Sequence, residues 1–285
     1  MSAGPFFAQH EVHVGQDVGG RTLAVSDADV ARYEAGTGGV STRPVGAAPA
    51  LILHSEVYRS LAWYLPKIFG NLHARQEWEL FAPVLVGQPI RTHATVVDRY
   101  RKRNREYVVN EVLVTDAEGR WLQRSRTHQS FLVEDGGRDT VVDREREKRP
   151  ERVFTVGEGP GEPIGPFTRP ITLAMCEAFS GPEKNYHNDR EMARMLGFPD
   201  IVVQGMLSVC LVSELMTETF GAGWLLGGKM DVRLVNVVWV DDVLATRGKV
   251  CEEVAEGSHR RVHLDVWGEK ADGTKALVGS ASALG

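Results

Sequence analysis

The chain is poor in several residue types that would narrow its chemistry at once. It has only 3 cysteines in 285 residues, at 176, 210 and 251. They are an odd number, widely spaced and set in apolar sequence, which suits buried thiols and argues against a disulfide framework or a zinc site. Basic residues are not in excess: the formal net charge is -5 and the isoelectric point near 6.0. A nucleic-acid surface needs a concentrated positive field, so no nucleic-acid partner is expected. No apolar run reaches the roughly 20 residues that span a bilayer, and the opening residues lack the basic and apolar regions of a secretory signal. A cytoplasmic protein without a membrane partner is the expectation. No phosphate-cradling glycine loop or dinucleotide fingerprint follows a strand, and HNDRE at 187–191 lacks a second histidine at ligand spacing. Neither a metal nor a bound cofactor is therefore expected.

What the chain does have is itself, twice. Ordinary globular composition, 42% hydrophobic and 25% charged, and this length suit two modest domains, each able to bury a core. A glycine-containing lead-in and a short helical stretch open each half, with Gly15 matching Gly157 at an offset of 142 residues. Further on, APVLVGQPIRTHATVV at 82–97 matches NVVWVDDVLATRGKVC at 236–251, and DAEG at 116–119 matches KADG at 270–273. The offset there is 154, so the second copy gains a dozen residues after its opening helix. Apolar periodicity predicts a longer helix in each half, over 51–69 and over 203–220, the second closed by Gly221. Alternating, hairpin-forming strands follow each one. Helices followed by hairpin-linked strands predict an α+β fold, with antiparallel sheets packed on helices. The organisation reads as an N-terminal repeat (1–134), a charged, glycine-rich linker (135–152) and a C-terminal repeat (153–285).

The gained residues fall within FSGPEKNYHNDREMARMLGFPDIVVQGML at 179–207. This stretch resembles the MaoC-like dehydratases, or (R)-specific enoyl-CoA hydratases, whose loop reads SGDxNPxH, then xDxxxA, GF and a helix opening with HGM. Ser180, Gly181, His187, Asp189, Ala193, Gly197, Phe198, Gly205 and Met206 keep that pattern. Pro182 stands at the family's aspartate, Lys184 and Asn185 stand where it has Asn and Pro, and Gln204 replaces the histidine before the glycine. The first half is similar to the N-terminal half of two-repeat members.

The resemblance implies a double hotdog, two repeats each wrapping a sheet around its long helix, in a chain that forms a homodimer. It implies a hydro-lyase that adds or removes water at the double bond of an enoyl-CoA or a carrier-bound enoyl chain. Coenzyme A or the carrier is then part of the substrate. His187 is the implied acid/base, Glu183 the candidate second carboxylate in place of the missing aspartate, and the Gly205 N–H the oxyanion donor. Gln204, Asn185 and Tyr186 are candidates for lining the substrate site, while Asp189 reads as the N-cap of DREMARML. His54 and His73 have no acidic partner in a comparable loop, which leaves the first half to complete the pair and shape the acyl tunnel. Two other readings stay open: a protein that keeps the groove but serves as an acyl-thioester-binding or partner subunit, and a thioesterase.

Overall fold

The computed structural model describes residues 12–39, 42–59, 71–103, 105–132 and 151–285. Alternation of apolar and polar residues in the two strand-rich stretches puts one face of each strand on the core. The first half forms β1 (Asp17–Ala24), α1 (Asp27–Thr37), α2 (Glu56–Arg59), β2 (Leu72–Leu80), β3 (Pro89–Lys102), β4 (Arg105–Asp116) and β5 (Trp121–Leu132). The second forms β6 (Pro163–Pro170), α3 (Leu173–Ser180), α4 (Arg190–Met195), α5 (Gly205–Phe220), α6 (Ala222–Gly227), β7 (Lys229–Leu234), β8 (Val243–Glu256), β9 (His259–Lys270) and β10 (Lys275–Leu284).

All ten strands join one antiparallel sheet in the order β1-β3-β4-β5-β2-β7-β10-β9-β8-β6. The order is palindromic, because β7, β10, β9, β8 and β6 repeat β2, β5, β4, β3 and β1 outward from the middle. At the central β2/β7 pair, Glu77 lies opposite Asp231, 154 positions on. A residue facing its own repeat equivalent marks a pseudo-twofold axis through the sheet. Arg75 binds Asp231 across this seam with two hydrogen bonds, of 2.6 and 2.5 Å.

The offset of 154 holds from β3/β8 to the end, as the repeats in sequence predict. The opening offset does not. β1 ends at Ala24 opposite Pro89 and β6 at Pro170 opposite Val243, so these strands are 146 apart and the gain is eight residues, not twelve. Gly19 and Gly165, both in the left-handed region at φ 86° and 85°, are the matched glycines. The lead-ins are strands rather than irregular chain; glycine and proline hide them in the sequence, and both are tolerated because β1 and β6 are the sheet's edges.

Helix α5 is apolar nearly all round, and every residue from Met206 to Thr217 is buried, as befits a helix enclosed by its sheet. It begins at Gly205, two residues later than its periodicity predicts, and Gly221 closes it. The corresponding helix predicted over 51–69 shows successive turns at 51–55 and then α2; residues 60–70 lie outside the described residues. The charged linker lies outside them too, apart from Glu151 and Arg152. The halves also meet where α1 packs on α3. Gly36 permits this, since a Cβ there would come within 3.0 Å of Phe179. Tyr33 donates to the buried Glu214 of α5 at 3.0 Å, and His54 stacks on Phe179 with ring centroids 4.0 Å apart. Cys176 and Cys210 are buried and free, whereas Cys251, on an outward position of β8, is exposed, contrary to the apolar-context expectation.

Candidate active site

Proline and glycine end α3, and the chain then turns through residues 181–189 before α4. Two asparagines hold that turn. Asn188 accepts from the Asn185 N–H at 2.8 Å and donates to the carbonyls of Gly181 and Glu183 at 3.1 and 2.9 Å. Asn185 accepts from the His187 N–H at 2.9 Å and donates to the Glu183 carbonyl at 2.9 Å. These side chains supply the bonds that an irregular backbone lacks, so the loop is rigid where His187 leaves it. Asn188 went unmarked in the sequence; its only signal is an asparagine three residues after another in a turn. Asp189 caps α4 as expected, accepting from the Met192 N–H at 2.9 Å, and pairs with Lys184 at 2.8 Å.

The His187 ring is half-buried against Tyr186, with centroids 3.9 Å apart, and Tyr186 stacks in turn on Phe198. Burial pushes the Tyr186 hydroxyl up to about 12. His187 Nδ1 lies 2.7 Å from the Val202 carbonyl. A carbonyl can only accept, so Nδ1 carries the proton and Nε2 presents the lone pair. Burial holds His187 down at about 4, with the Val202 bond working the other way. The ring is therefore a neutral base at physiological pH.

Val202 leads directly to the N-terminus of α5. Gln204, the residue before the helix, makes no capping bond, and its buried Oε1 has no hydrogen-bond partner among the described residues. The first intrahelical donor with an acceptor is Leu207, bonded to the Gln204 carbonyl at 2.8 Å. Among the described residues Gly205 N–H has no backbone acceptor, and it sits at the positive end of the helix. The glycine keeps this spot close-packed: a Cβ at 205 would come within 2.7 Å of the end of the Leu234 side chain, which would have to shift, and would touch His73 Nδ1 at 3.7 Å.

Glu183 is placed differently. Only its main-chain carbonyl is engaged; the side chain is exposed, with no partner among the described residues. Pro182 beside it is also exposed and offers no acid or base. The structure thus sets His187 against Tyr186 and ties it, through the Val202 carbonyl, to the segment that leads into Gln204 and Gly205, and leaves the Glu183 side chain exposed. It also adds Tyr58 and His73 from the first half at the α5 N-terminus, a contact that no local pattern in the sequence announces. Among the described residues no three His, Cys, Asp or Glu side chains are grouped to hold a metal ion, and no helix is long and apolar enough to cross a membrane.

Residues 143–267 match the family of MaoC like domains. Solved structures extend the likeness over nearly the whole chain. A MaoC-like dehydratase from Phytophthora capsici superposes with a TM-score of 0.71 at 15% identity, over 95% of this chain and 95% of that one. A Mycobacterium tuberculosis protein described as having a double hotdog fold gives 0.64 at 13% identity, over 99% and 98%. A putative oleoyl thioesterase from Lactobacillus plantarum gives 0.53 at 14% identity, over 95% and 96%. No curated protein matches the sequence. At these identities the likeness establishes the fold, a double hotdog of the α+β class, and the chemistry must be argued from the geometry around His187.

Proposed function

We propose that the protein is an acyl-thioester hydratase or dehydratase centred on His187. The observation that carries this reading is the 2.7 Å bond from His187 Nδ1 to the Val202 carbonyl, which aims a neutral imidazole lone pair from a braced loop beside the open N-terminus of α5. In hydration, Nε2 takes a proton from water as the water oxygen bonds to the β-carbon. The π electrons move toward the thioester carbonyl, whose developing charge the Gly205 N–H meets. Nε2 then returns the proton to the α-carbon, so water is added and the imidazole is regenerated. Dehydration is the same path reversed. The enoyl chain is carried on coenzyme A or an acyl carrier.

The test is loss of the conjugated thioester absorbance with short and branched enoyl-CoAs. Turnover that His187→Ala abolishes and Glu183→Ala preserves is the expected result. Turnover lost in Glu183→Ala would restore a carboxylate partner. Pro182, at the family's aspartate position, favours a second reading in which the groove binds acyl thioesters without hydrating them; binding of coenzyme A esters with no turnover on any of them would establish it.

A further inference from the structure

The N-terminus of α5 is met by two side chains from the other half of the molecule. Tyr58 lies on α2 and His73 on β2, and the Tyr58 hydroxyl is 3.0 Å from His73 Nδ1, with the rings edge to face. His73 Nε2 is 3.1 Å from Gln76 Oε1. Gln76 is fully buried; its Oε1 also accepts from the Thr127 hydroxyl at 2.8 Å and its amide nitrogen donates to the Glu77 carbonyl at 2.9 Å. That network fixes the amide's orientation, so His73 Nε2 carries the proton and Nδ1 the lone pair. The phenol therefore donates to His73, and its own lone pairs face away from the ring. The pair stands at the start of α5: a Cβ on Gly205 would lie 3.7 Å from His73 Nδ1, the atom that holds the phenol.

Gly205 and Met206 are the first two residues of α5, and consecutive N–H groups at a helix start converge on neighbouring acceptor positions. An oxygen bound at Gly205 N–H lies close to the Tyr58 hydroxyl, which His73 holds at that helix end. We propose that Tyr58 is a catalytic residue of the thioester site: its hydroxyl turns from His73 to donate to the thioester carbonyl as charge develops there, completing with Gly205 N–H a two-donor oxyanion hole. His73 is the positioning residue that holds the phenol at the helix end. The O–H bond stays intact and only its acceptor changes, so no proton is consumed. Burial pushes the Tyr58 hydroxyl well above the usual tyrosine range, which keeps it a donor at any working pH. The proposal rests on the acyl-thioester reading given above and assigns to the first half a share of the chemistry.

Binding of butanoyl-CoA, a saturated thioester, is to be compared by calorimetry with binding of S-butyl-CoA, the thioether lacking the carbonyl. Tyr58→Phe is expected to weaken the thioester about fivefold to tenfold, the worth of one neutral hydrogen bond, and to leave the thioether unchanged. With crotonyl-CoA, KM should rise by a comparable factor and kcat should fall by about 10²-fold, as for loss of one oxyanion donor whose bond strengthens as charge develops. Equal losses for thioester and thioether, or no loss, would overturn the proposal. If Tyr58→Phe fails to fold, His73→Ala gives the same contrast at smaller size, a loss confined to the thioester supporting the proposal and an equal loss overturning it. Wild-type protein that binds neither ligand rejects the acyl-thioester reading itself, and Tyr58 with it.

Discussion

The two halves differ most where their sequences are hardest to align, between the opening helix and the long helix. In the first half α1 closes at Gly38, and before the 51–55 turns Arg43 donates to the Ala47 carbonyl at 2.9 Å and pairs with Glu34 of α1. In the second, eight extra residues let the chain build an asparagine-braced loop, a capped helix α4 and the Val202 carbonyl that orients His187. Insertion of length alone would give a floppy excursion; what makes it a site is that Asn185, Asn188 and Asp189 satisfy its backbone. The first half contributes in another way, by sending Tyr58 and His73 across to the same helix end.

Histidines give the sharpest way to break this contrast. His54 and His187 are both neutral in the folded protein, held by burial at about 3 and about 4. His54 stacks on Phe179 and has a buried Nδ1 without a partner among the described residues, whereas His187 is aimed by its carbonyl. Steady-state kinetics on an enoyl-CoA should show His187→Ala lowering kcat by about 10²–10⁴-fold, the usual worth of general acid–base catalysis. His54→Ala should leave kcat near wild type while lowering the unfolding midpoint. Equal kinetic losses in both would erase the functional difference between the halves.

Acid offers the next test. His54, His73 and His187 all have folded-state values below the ordinary 6.5, because burial disfavours their charged forms. The unfolded chain takes up protons as pH drops below 6.5, while the folded protein does not until about 4 or below. Their contribution to stability is thus complete above pH 6.5 and lost as pH falls toward 4 and then 3, by up to about 1.4 kcal/mol per histidine for each pH unit. Urea unfolding at pH 7 and pH 5 should show this, and the dependence should shrink by a comparable share in each single His→Ala variant. An unchanged midpoint would mean that the three rings are not held neutral.

Caps give the smallest effect. Ser26 and Asp29 form a capping box at α1, and Asp189 caps α4. Each of Ser26→Ala and Asp189→Ala should cost about 1 kcal/mol in thermal or urea unfolding. Only the second should also reduce turnover, because α4 anchors the loop that carries His187. Equal kinetic effects would mean that the loop does not depend on its helix.

The strands from β3 to β5 and β8 to β10 were legible because half-buried antiparallel strands alternate, and α5 because an enclosed helix is apolar throughout. The Asp189 cap was legible because capping is local. β1 and β6 were obscured by the glycines and prolines that edge strands permit, and the matching of Gly15 with Gly157 misplaced the opening register by four residues. Cys251 shows the limit of composition: apolar neighbours along a strand alternate in facing, so context alone did not bury it. Tyr58 lies far from Gly205 along the chain, and only the folded sheet brings the two halves' residues to one helix end.

The pseudo-twofold seam at Glu77 and Asp231 has a consequence for how such a chain can change. In an assembly of two identical subunits every substitution is made twice, at both ends of the axis, and a residue useful on one side must be tolerated on the other. Joining the copies in one polypeptide removes that obligation. One copy became free to lengthen its loop while the other carries a phenol and an imidazole where the lengthened copy has Val212 and Gly227, and neither change needed a mirror image.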